Sequence, residues 1–216
     1  MKNFFPELRS YVGQLVSQFD QIDEGRKKAL RSLGGFILVK QRSNALCQLT
    51  FICTHNSRRS HLGQIWAETA AIWYGLENIK TFSGGTEATA FNIRAVAALA
   101  RAGFDIENTG RGKDTNPNYW IRPGQDYEPK RMFSKKFDHL LNPSADFAAV
   151  MVCSHADENC PFVPGAEKRF SITYDDPKEF DGTAQEKEKY DLKSLEIGRE
   201  MFFAMDYVNN LLKNNN

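Results

Sequence analysis

The sequence lacks any strong charge imbalance: 28 Lys and Arg residues against 27 Asp and Glu residues leave a formal net charge of +1 over 216 residues. Proteins that bind nucleic acid carry a basic excess, so the composition gives no support for that function. No apolar run approaches the roughly 20 residues that a membrane-spanning helix needs. The N-terminus also lacks a signal-peptide pattern. We therefore predict a cytoplasmic protein without a nucleic-acid or membrane partner.

Cysteine is scarce too, with four residues in the chain: Cys47, Cys53, Cys153 and Cys160. In a secreted protein they could form two disulfides. In a reducing cytoplasm they are more often free, catalytic or redox-active. Their spacing does not resemble the paired knuckles of a zinc site, so we predict no metal and no cofactor.

The apolar residues that are present follow an alternating pattern of strands and helices. Four short, β-rich apolar runs are predicted as strands, at 48–53, 79–83, 147–153 and 170–174. Three segments with apolar residues at helical spacing are predicted as helices, at 60–74, 92–103 and 190–212. This alternation predicts an α/β fold, a three-layer sandwich with a central four-stranded parallel sheet.

Residues 1–45 precede this pattern and are predicted as an N-terminal helical extension of a catalytic domain over 46–216. Apolar residues at helical spacing from Phe4 to Ile22 predict one amphipathic helix. A second, short helix is predicted to start at Asp23 and to end near Gly34-Gly35. Amphipathic helices mostly cover apolar surface, which is the role that we expect for both.

A second region, about 107–146, interrupts the alternation with many Asn, Gly, Pro and Lys residues. Its apolar residues form two islands, Tyr119-Trp-Ile121 and Met132-Phe133. A loop this long is usually functional or a mobile insertion. We predict an inserted hairpin flap.

The residues with the clearest chemistry lie between the first strand and the following helix. Cys53 is followed by five residues and then by Arg59 and Ser60. A loop of this size can point successive backbone N–H groups at one tetrahedral anion, and the helix N-terminus adds positive potential. The guanidinium can grip two anion oxygens. The predicted oxyanion-binding residues are Thr54, His55, Asn56, Ser57, Arg58, Arg59 and Ser60.

The same electrostatic field favours the thiolate of Cys53, which would make it a nucleophile. Ser60 can donate a hydrogen bond to the sulfur. The alternative interpretation is a buried small residue at a strand end, which is common for cysteine.

The segment Phe51–Ser60 resembles the phosphate-binding loop of the low-molecular-weight protein tyrosine phosphatase superfamily. Within it, the chain is similar to thioredoxin-coupled arsenate reductases. The block Val152–Pro161 resembles their redox segment, and Tyr174–Pro177 resembles the acid-bearing loop of the superfamily. With Phe82–Gly85, the blocks occur in the family's order. The N-terminal extension and the insertion lie outside the resemblance.

The resemblance implies a general acid at Asp176, which would protonate the leaving oxygen. Only the family pattern selects Asp176 over Asp175. An Asp-Pro pair is also a common turn, so a turn without a catalytic role is the alternative.

The resemblance also implies a relay of three cysteines. Cys53 would attack arsenate, and Cys153 would attack Cys53 and expel arsenite. Cys160 would then attack Cys153, leaving a disulfide for thioredoxin to reduce. A buried strand cysteine plus an incidental one is the alternative.

Three residues depart from the family pattern. His55 stands where glycine is usual, so we expect the backbone of the loop to differ there. Arg58 is predicted to add charge at the mouth of the site. Gln64 replaces a glutamate that contributes to a potassium site in some arsenate reductases, where Asn56 and Ser83 would remain.

These residues predict a cytosolic, cysteine-dependent arsenate reductase that converts arsenate to arsenite, with thioredoxin as its reductant. The alternative is a low-molecular-weight phosphatase that hydrolyses phosphotyrosine or small phosphoesters through a cysteinyl-phosphate, using Cys53, Arg59 and Asp176. Its partner would be a phosphoprotein. A catalytically weak binding module is a third possibility, against which the intact nucleophile and acid argue.

Overall fold

A computed structural model describes residues 3–110, 114–160 and 162–214. Small parts of the predicted extension, insertion and C-terminal tail, together with Pro161 of the redox block, lie outside the described residues. The helices are α1 (Pro6–Ser17), α2 (Glu24–Arg42), α3 (Arg59–Tyr74), α4 (Ile93–Arg101), α5 (Ser154–Asn159) and α6 (Glu186–Lys213). The strands are β1 (Cys47–Cys53), β2 (Ile79–Gly85), β3 (Asp105–Asn108), β4 (Tyr119–Arg122), β5 (Lys130–Met132), β6 (Phe147–Met151) and β7 (Ala166–Ser171).

The central sheet contains four parallel strands in the order β2-β1-β6-β7, which confirms the predicted α/β class and its four-stranded parallel sheet. Every residue of β6 and all but one of β1 are buried, as expected for strands covered on both faces. β1 lies between two neighbours, and its last residue, Cys53, pairs with Gly85 of β2. The carboxyl end of a central parallel strand is the usual place for a ligand site in such folds.

The N-terminal extension forms helices, but their limits differ from the prediction. The segment Phe4–Ile22 splits into α1 and a 3₁₀ turn, Phe19–Gln21. α2 continues past Gly34 and Gly35 instead of ending there. An added Cβ at the first of these glycines would meet the Tyr207 ring of α6 at 2.8 Å. Glycine at this position therefore permits close packing between two helices and does not terminate α2.

The extension shares one hydrophobic core with the sheet and its helices. Leu8, Leu15 and Leu33 are fully buried in this core. The Tyr11 ring of α1 stacks on Trp66 of α3, with ring centroids 5.5 Å apart. Because these leucines are buried in the same cluster as the strands, we expect the extension to unfold together with the sheet. No helix among the described residues is long and apolar enough to cross a membrane.

The insertion forms the predicted hairpin, in which the first island pairs antiparallel with the second and Tyr119 lies opposite Met132, and a third strand extends it to a small antiparallel sheet. Its strands have the order β3-β4-β5, and β3 begins at Asp105, before the predicted start of the insertion. Residues 134–142 then return to the central sheet, where Gly85 N donates to the Lys135 carbonyl at 2.9 Å. Asn142 Nδ2 donates to the Ser83 carbonyl at 3.0 Å. These contacts fix the insertion against β2.

We expect Leu33→Ala to lower the free energy of unfolding by about 2–5 kcal/mol, because it removes a fully buried leucine and leaves a cavity. Denaturant unfolding followed by tryptophan fluorescence measures this change. Val39→Ala on the same helix is the matched control, since Val39 is 67% exposed and its loss should change stability by less than about 0.5 kcal/mol. Equal stability of the two variants would show that α2 is not part of the cooperative core.

Candidate active site

The nucleophile predicted at Cys53 is nearly buried at the end of β1, and its Sγ atom lies 3.1 Å from Ser60 Oγ in the first turn of α3. Asn56 Nδ2 donates a hydrogen bond to the same serine oxygen at 2.8 Å. Since that oxygen is already an acceptor, its own hydrogen is free to be donated to sulfur. A hydrogen bond donated to sulfur stabilises the thiolate, which is the nucleophilic form of cysteine.

The loop accommodates His55 without a glycine. The residue with a left-handed backbone is its neighbour Asn56, with φ of 44°. Asparagine tolerates this conformation better than most residues. His55 itself does not have a positive φ, and its carbonyl accepts hydrogen bonds from Ser134 Oγ at 2.9 Å and Thr89 Oγ1 at 3.2 Å.

The insertion sets the orientation of the Asn56 amide. The backbone N–H of Lys135 donates to Asn56 Oδ1 at 2.8 Å, which directs Nδ2 towards Ser60. Ser134 meanwhile holds the carbonyl of His55. Sequence reasoning missed Ser134 and Lys135, because they lie outside the resemblance and no local pattern marks them as neighbours of the loop.

Arg59 joins the loop to the predicted acid. Its Nη1 donates to the Tyr174 carbonyl at 2.8 Å, and its Nη2 donates to Asp176 Oδ2 at 2.7 Å. Asp176 also caps the 3₁₀ turn Pro177–Phe180, where its Oδ1 accepts from Lys178 N at 3.1 Å. The Asp-Pro turn is therefore real, and it also carries Asp176 to the loop, while Asp175 is exposed.

Arg58 does not add charge at the mouth of the site, contrary to the prediction. Its side chain is buried; Nε donates to Tyr190 OH at 2.8 Å and Nη2 lies 3.4 Å from Asp181 Oδ2. Burial and the hydrogen bond to Asp181 raise the pKa of Tyr190 to about 12, although the neighbouring Arg58 acts to lower it. Arg58 thus ties the loop to α6, and its Nε also lies 3.8 Å from Asp176 Oδ1.

The relay cysteines lie at the two ends of α5, and all four cysteines are free thiols. Cys153 Sγ lies 3.5 Å from Thr54 Oγ1 in the anion-binding loop and accepts from Ala156 N at 3.4 Å. Cys160 follows the helix and is partly exposed. Cys47 lies at the opposite end of β1 from Cys53, and burial raises its pKa to about 12, so its thiol stays protonated at neutral pH.

The residues at the potassium-site positions do not fit a bound cation. Asn56 Oδ1 already accepts from Lys135 N, and Ser83 Oγ lies 3.4 Å from His61 Nδ1. The buried ammonium of Lys135 lines the same cavity as Gln64. Burial, together with Lys130 and Arg131, lowers the pKa of Lys135 to about 8. A metal cation here would meet like charge.

Comparison with known proteins identifies relatives of this chain. No protein-family model matches the chain. It is 31% identical over 137 residues to an arsenate reductase of Bacillus subtilis strain 168, an overlap of 63% of this chain and 78% of that protein.

The solved structures that are similar to the chain include a phosphatase and an arsenate reductase. A low molecular weight phosphotyrosine phosphatase from Vibrio cholerae O395 has a TM-score of 0.49 and 16% identity, covering 74% of this chain and 95% of that one. A thioredoxin-dependent arsenate reductase from Corynebacterium glutamicum has a TM-score of 0.39 and 13% identity, covering 92% of this chain and 96% of that one.

A four-stranded parallel sheet with a Cys-x5-Arg-Ser loop at the end of its central strand defines the class as the low-molecular-weight protein tyrosine phosphatase superfamily. Within this class, the chain belongs to the arsenate reductase family. The predicted relationship is confirmed. The roles of the individual site residues remain predictions.

We expect both Asn56→Gly and Asn56→Ala to reduce turnover roughly 10–100-fold. Without the amide, Ser60 is no longer oriented to donate to the Cys53 thiolate, and a hydrogen bond to a charged group is worth about 1.5–3 kcal/mol. Glycine keeps the left-handed backbone, whereas alanine should also lose about 1 kcal/mol of stability. Steady-state rates and denaturant unfolding separate the two effects. The control is Asn44→Gly, at another left-handed residue (φ of 51°) outside the site. Full activity of Asn56→Gly would mean that the amide does not orient Ser60.

Proposed function

We propose that this protein reduces arsenate to arsenite, with Cys53 as the nucleophile and Cys153 and Cys160 as the relay. The observation that supports this proposal best is the position of Cys153, whose sulfur lies 3.5 Å from Thr54, the residue that follows Cys53. A phosphatase needs no second thiol beside its anion loop. Reduction of arsenate needs one, because two electrons must reach arsenic.

In the first step, the Cys53 thiolate attacks arsenic and an arsenic–oxygen bond breaks. Backbone N–H groups of the loop and remaining donors of the Arg59 guanidinium stabilise the negative oxygens. Asp176, in contact with Arg59, protonates the departing oxygen, which leaves as water. The product of this step is a Cys53–arsenate adduct.

In the second step, the thiolate of Cys153 attacks Cys53 Sγ. A sulfur–sulfur bond forms, the sulfur–arsenic bond breaks, and its electron pair stays on arsenic, which leaves as arsenite. Cys160 then attacks Cys153 Sγ and releases Cys53 as a thiolate. The two thiols that end as a disulfide, Cys153 and Cys160, have supplied both electrons.

The final disulfide requires α5 to unwind. Cys160 lies seven positions after Cys153, with the six-residue helix between them, so at 1.5 Å per residue their Cα atoms are about 10 Å apart. A disulfide needs a Cα separation of about 4.4–6.8 Å. Asp157, near the middle of α5, bonds to Arg169 and accepts from Ser171 Oγ of β7 at 2.7 Å. We propose that these bonds to β7 break as the relay proceeds.

The oxidised pair needs a dithiol reductant, and we propose thioredoxin in the cytoplasm. Cys160 is the more exposed of the two cysteines, and the neighbouring Phe162 is 78% exposed. Unwinding of α5 would bring the Cys153–Cys160 disulfide towards this surface, where an external thiolate can attack it.

We expect Cys53→Ser to abolish arsenate reduction while the fold is retained, because a serine hydroxyl is a far weaker nucleophile than a thiolate at neutral pH. Arsenite production with thioredoxin, thioredoxin reductase and NADPH measures the loss, and denaturant unfolding checks the fold. Cys47→Ser is the matched control, a buried cysteine at the other end of the same strand. Substantial arsenite production by Cys53→Ser would remove the central claim.

We expect Cys160→Ser to release about one equivalent of arsenite per protein and then stop. Cys153 can still reach Cys53 in this variant, but no thiol remains to move the disulfide outwards. Rapid-quench arsenite measurement gives the stoichiometry, and peptide mass mapping should find a Cys153–Cys160 bridge in arsenate-treated wild type. Multiple turnovers by Cys160→Ser, or four free thiols in arsenate-treated wild type, would contradict the relay.

The second candidate is a low-molecular-weight phosphatase acting on phosphotyrosine or small phosphoesters. It is favoured by the contact between Arg59 and Asp176, which supplies an anion grip and an acid without either relay cysteine. Aryl phosphate turnover by wild type and by Cys160→Ser distinguishes the two functions. Brisk hydrolysis combined with no arsenite production would make the phosphatase the physiological activity.

A further inference from the structure

One side chain of the N-terminal extension reaches the acid-bearing loop. Arg26, in the first turn of α2, donates from Nη2 to the Thr173 carbonyl at 2.9 Å. Its guanidinium carbon also lies 4.5 Å from the centroid of the Tyr174 ring. The extension therefore contacts both the backbone and a side chain of the residues that lead to Asp176.

Arg26 is itself held in place from two sides. Its Nε donates to Glu200 Oε2 of α6 at 2.8 Å, and this carboxylate is only 4% exposed. Asp23 accepts a hydrogen bond from Arg26 N at 2.8 Å and caps α2. Arg26 is partly buried, with 19% of its side chain exposed, and its guanidinium makes two hydrogen bonds. A planar guanidinium fixed by two such bonds is a rigid support, since little side-chain freedom remains to be lost.

Arg59 of the anion loop also binds the segment 173–176. That side chain donates to the Tyr174 carbonyl at 2.8 Å and to Asp176 Oδ2 at 2.7 Å. Arg58 Nε also lies 3.8 Å from Asp176 Oδ1. Residues 173–176 therefore lie between the guanidinium groups of the anion loop, Arg59 and Arg58, and that of Arg26 from the extension. Within the described part of the chain, the hydrogen bonds of the Arg26 side chain go to Glu200 and Thr173 and not to the Cys53 loop, so its influence on chemistry passes through the acid loop.

We propose that Arg26 is a positioning residue that holds the acid loop so that Asp176 can transfer its proton, which makes the extension part of the catalytic apparatus. This inference rests on the proposed role of Asp176 as the general acid. Its physical basis is the sensitivity of proton transfer to geometry, because a displacement of about 1 Å can reduce a rate by a factor of 10². In this proposal, the extension has a positioning role through Arg26 in addition to the expected role of covering apolar surface.

The test uses aryl phosphates as probes of the first chemical step in the full-length chain. p-Nitrophenyl phosphate has a good leaving group that needs little protonation, whereas phenyl phosphate depends on the general acid. General acids contribute roughly 10²–10⁴-fold, so we expect Arg26→Met to lower kcat/KM about 10-fold or more for phenyl phosphate and less than about 3-fold for p-nitrophenyl phosphate. Asp176→Asn is the reference for complete loss of the acid.

Two further variants separate positioning from folding. Arg26→Met leaves Glu200 buried without its partner, which is destabilising. The double variant Arg26→Met/Glu200→Met removes both charges and should show the same selectivity with restored stability. Arg31→Met is the matched control, since Arg31 is two turns from the N-terminus of the same helix. It forms an ion pair with exposed Glu24, and its guanidinium lies 5.8 Å from the centroid of the Phe203 ring, not at the acid loop. This variant should leave both rates unchanged.

Equal losses on the two substrates, or no loss on either, would overturn the proposal. If Asp176→Asn itself shows no selectivity between the two substrates, the proposed role of Asp176 as the general acid fails. If wild type does not hydrolyse aryl phosphates, rates cannot test that role. A crystal structure of the double variant then decides the role of Arg26. We expect its Arg59–Asp176 contact to lengthen beyond hydrogen-bond distance, and an unchanged contact would refute the positioning role.

Discussion

The guanidinium of Arg59 joins the two segments that carry the proposed nucleophile and the proposed general acid. One segment is the loop after β1, which carries Cys53, and the other is the loop after β7, which carries Asp176. Because a guanidinium is planar and its donors point in fixed directions, the position of one loop constrains the position of the other. The surrounding fold has to keep both loops within reach of this one side chain.

Two peripheral regions help to meet that constraint, although neither belongs to the family pattern. The insertion delivers Ser134 and Lys135 to the anion loop, where they fix the Asn56 amide. The extension delivers Arg26 to the acid loop from the opposite side. The redox segment follows a different principle, because the proposed relay requires Cys153 to move. The helix that follows this cysteine has six residues, so it has few hydrogen bonds of its own and can unwind more easily than a long one.

Local patterns identified the central sheet and the spacing of Cys53 and Arg59, because both depend on residues close together in the chain. They failed where distant contacts decide. Two adjacent glycines indicate a helix end, yet α2 continues through them because the first glycine packs on α6. The charge of Arg58 indicated an exposed group at the mouth, yet Asp181 and Tyr190 draw that side chain into the interior.

The sequence by itself determined the strand–loop–helix unit and the order of the thiols and the acid along the chain. Apolar periodicity and the length of the anion loop are local properties that a short segment carries within itself. Only the tertiary structure decided which residues hold that unit in place. Arg26 and Asp176 are separated by 150 positions in the chain, and the support of the acid loop arises only when α2 packs beside the sheet. Such contacts depend on the packing of whole elements, which no local pattern encodes.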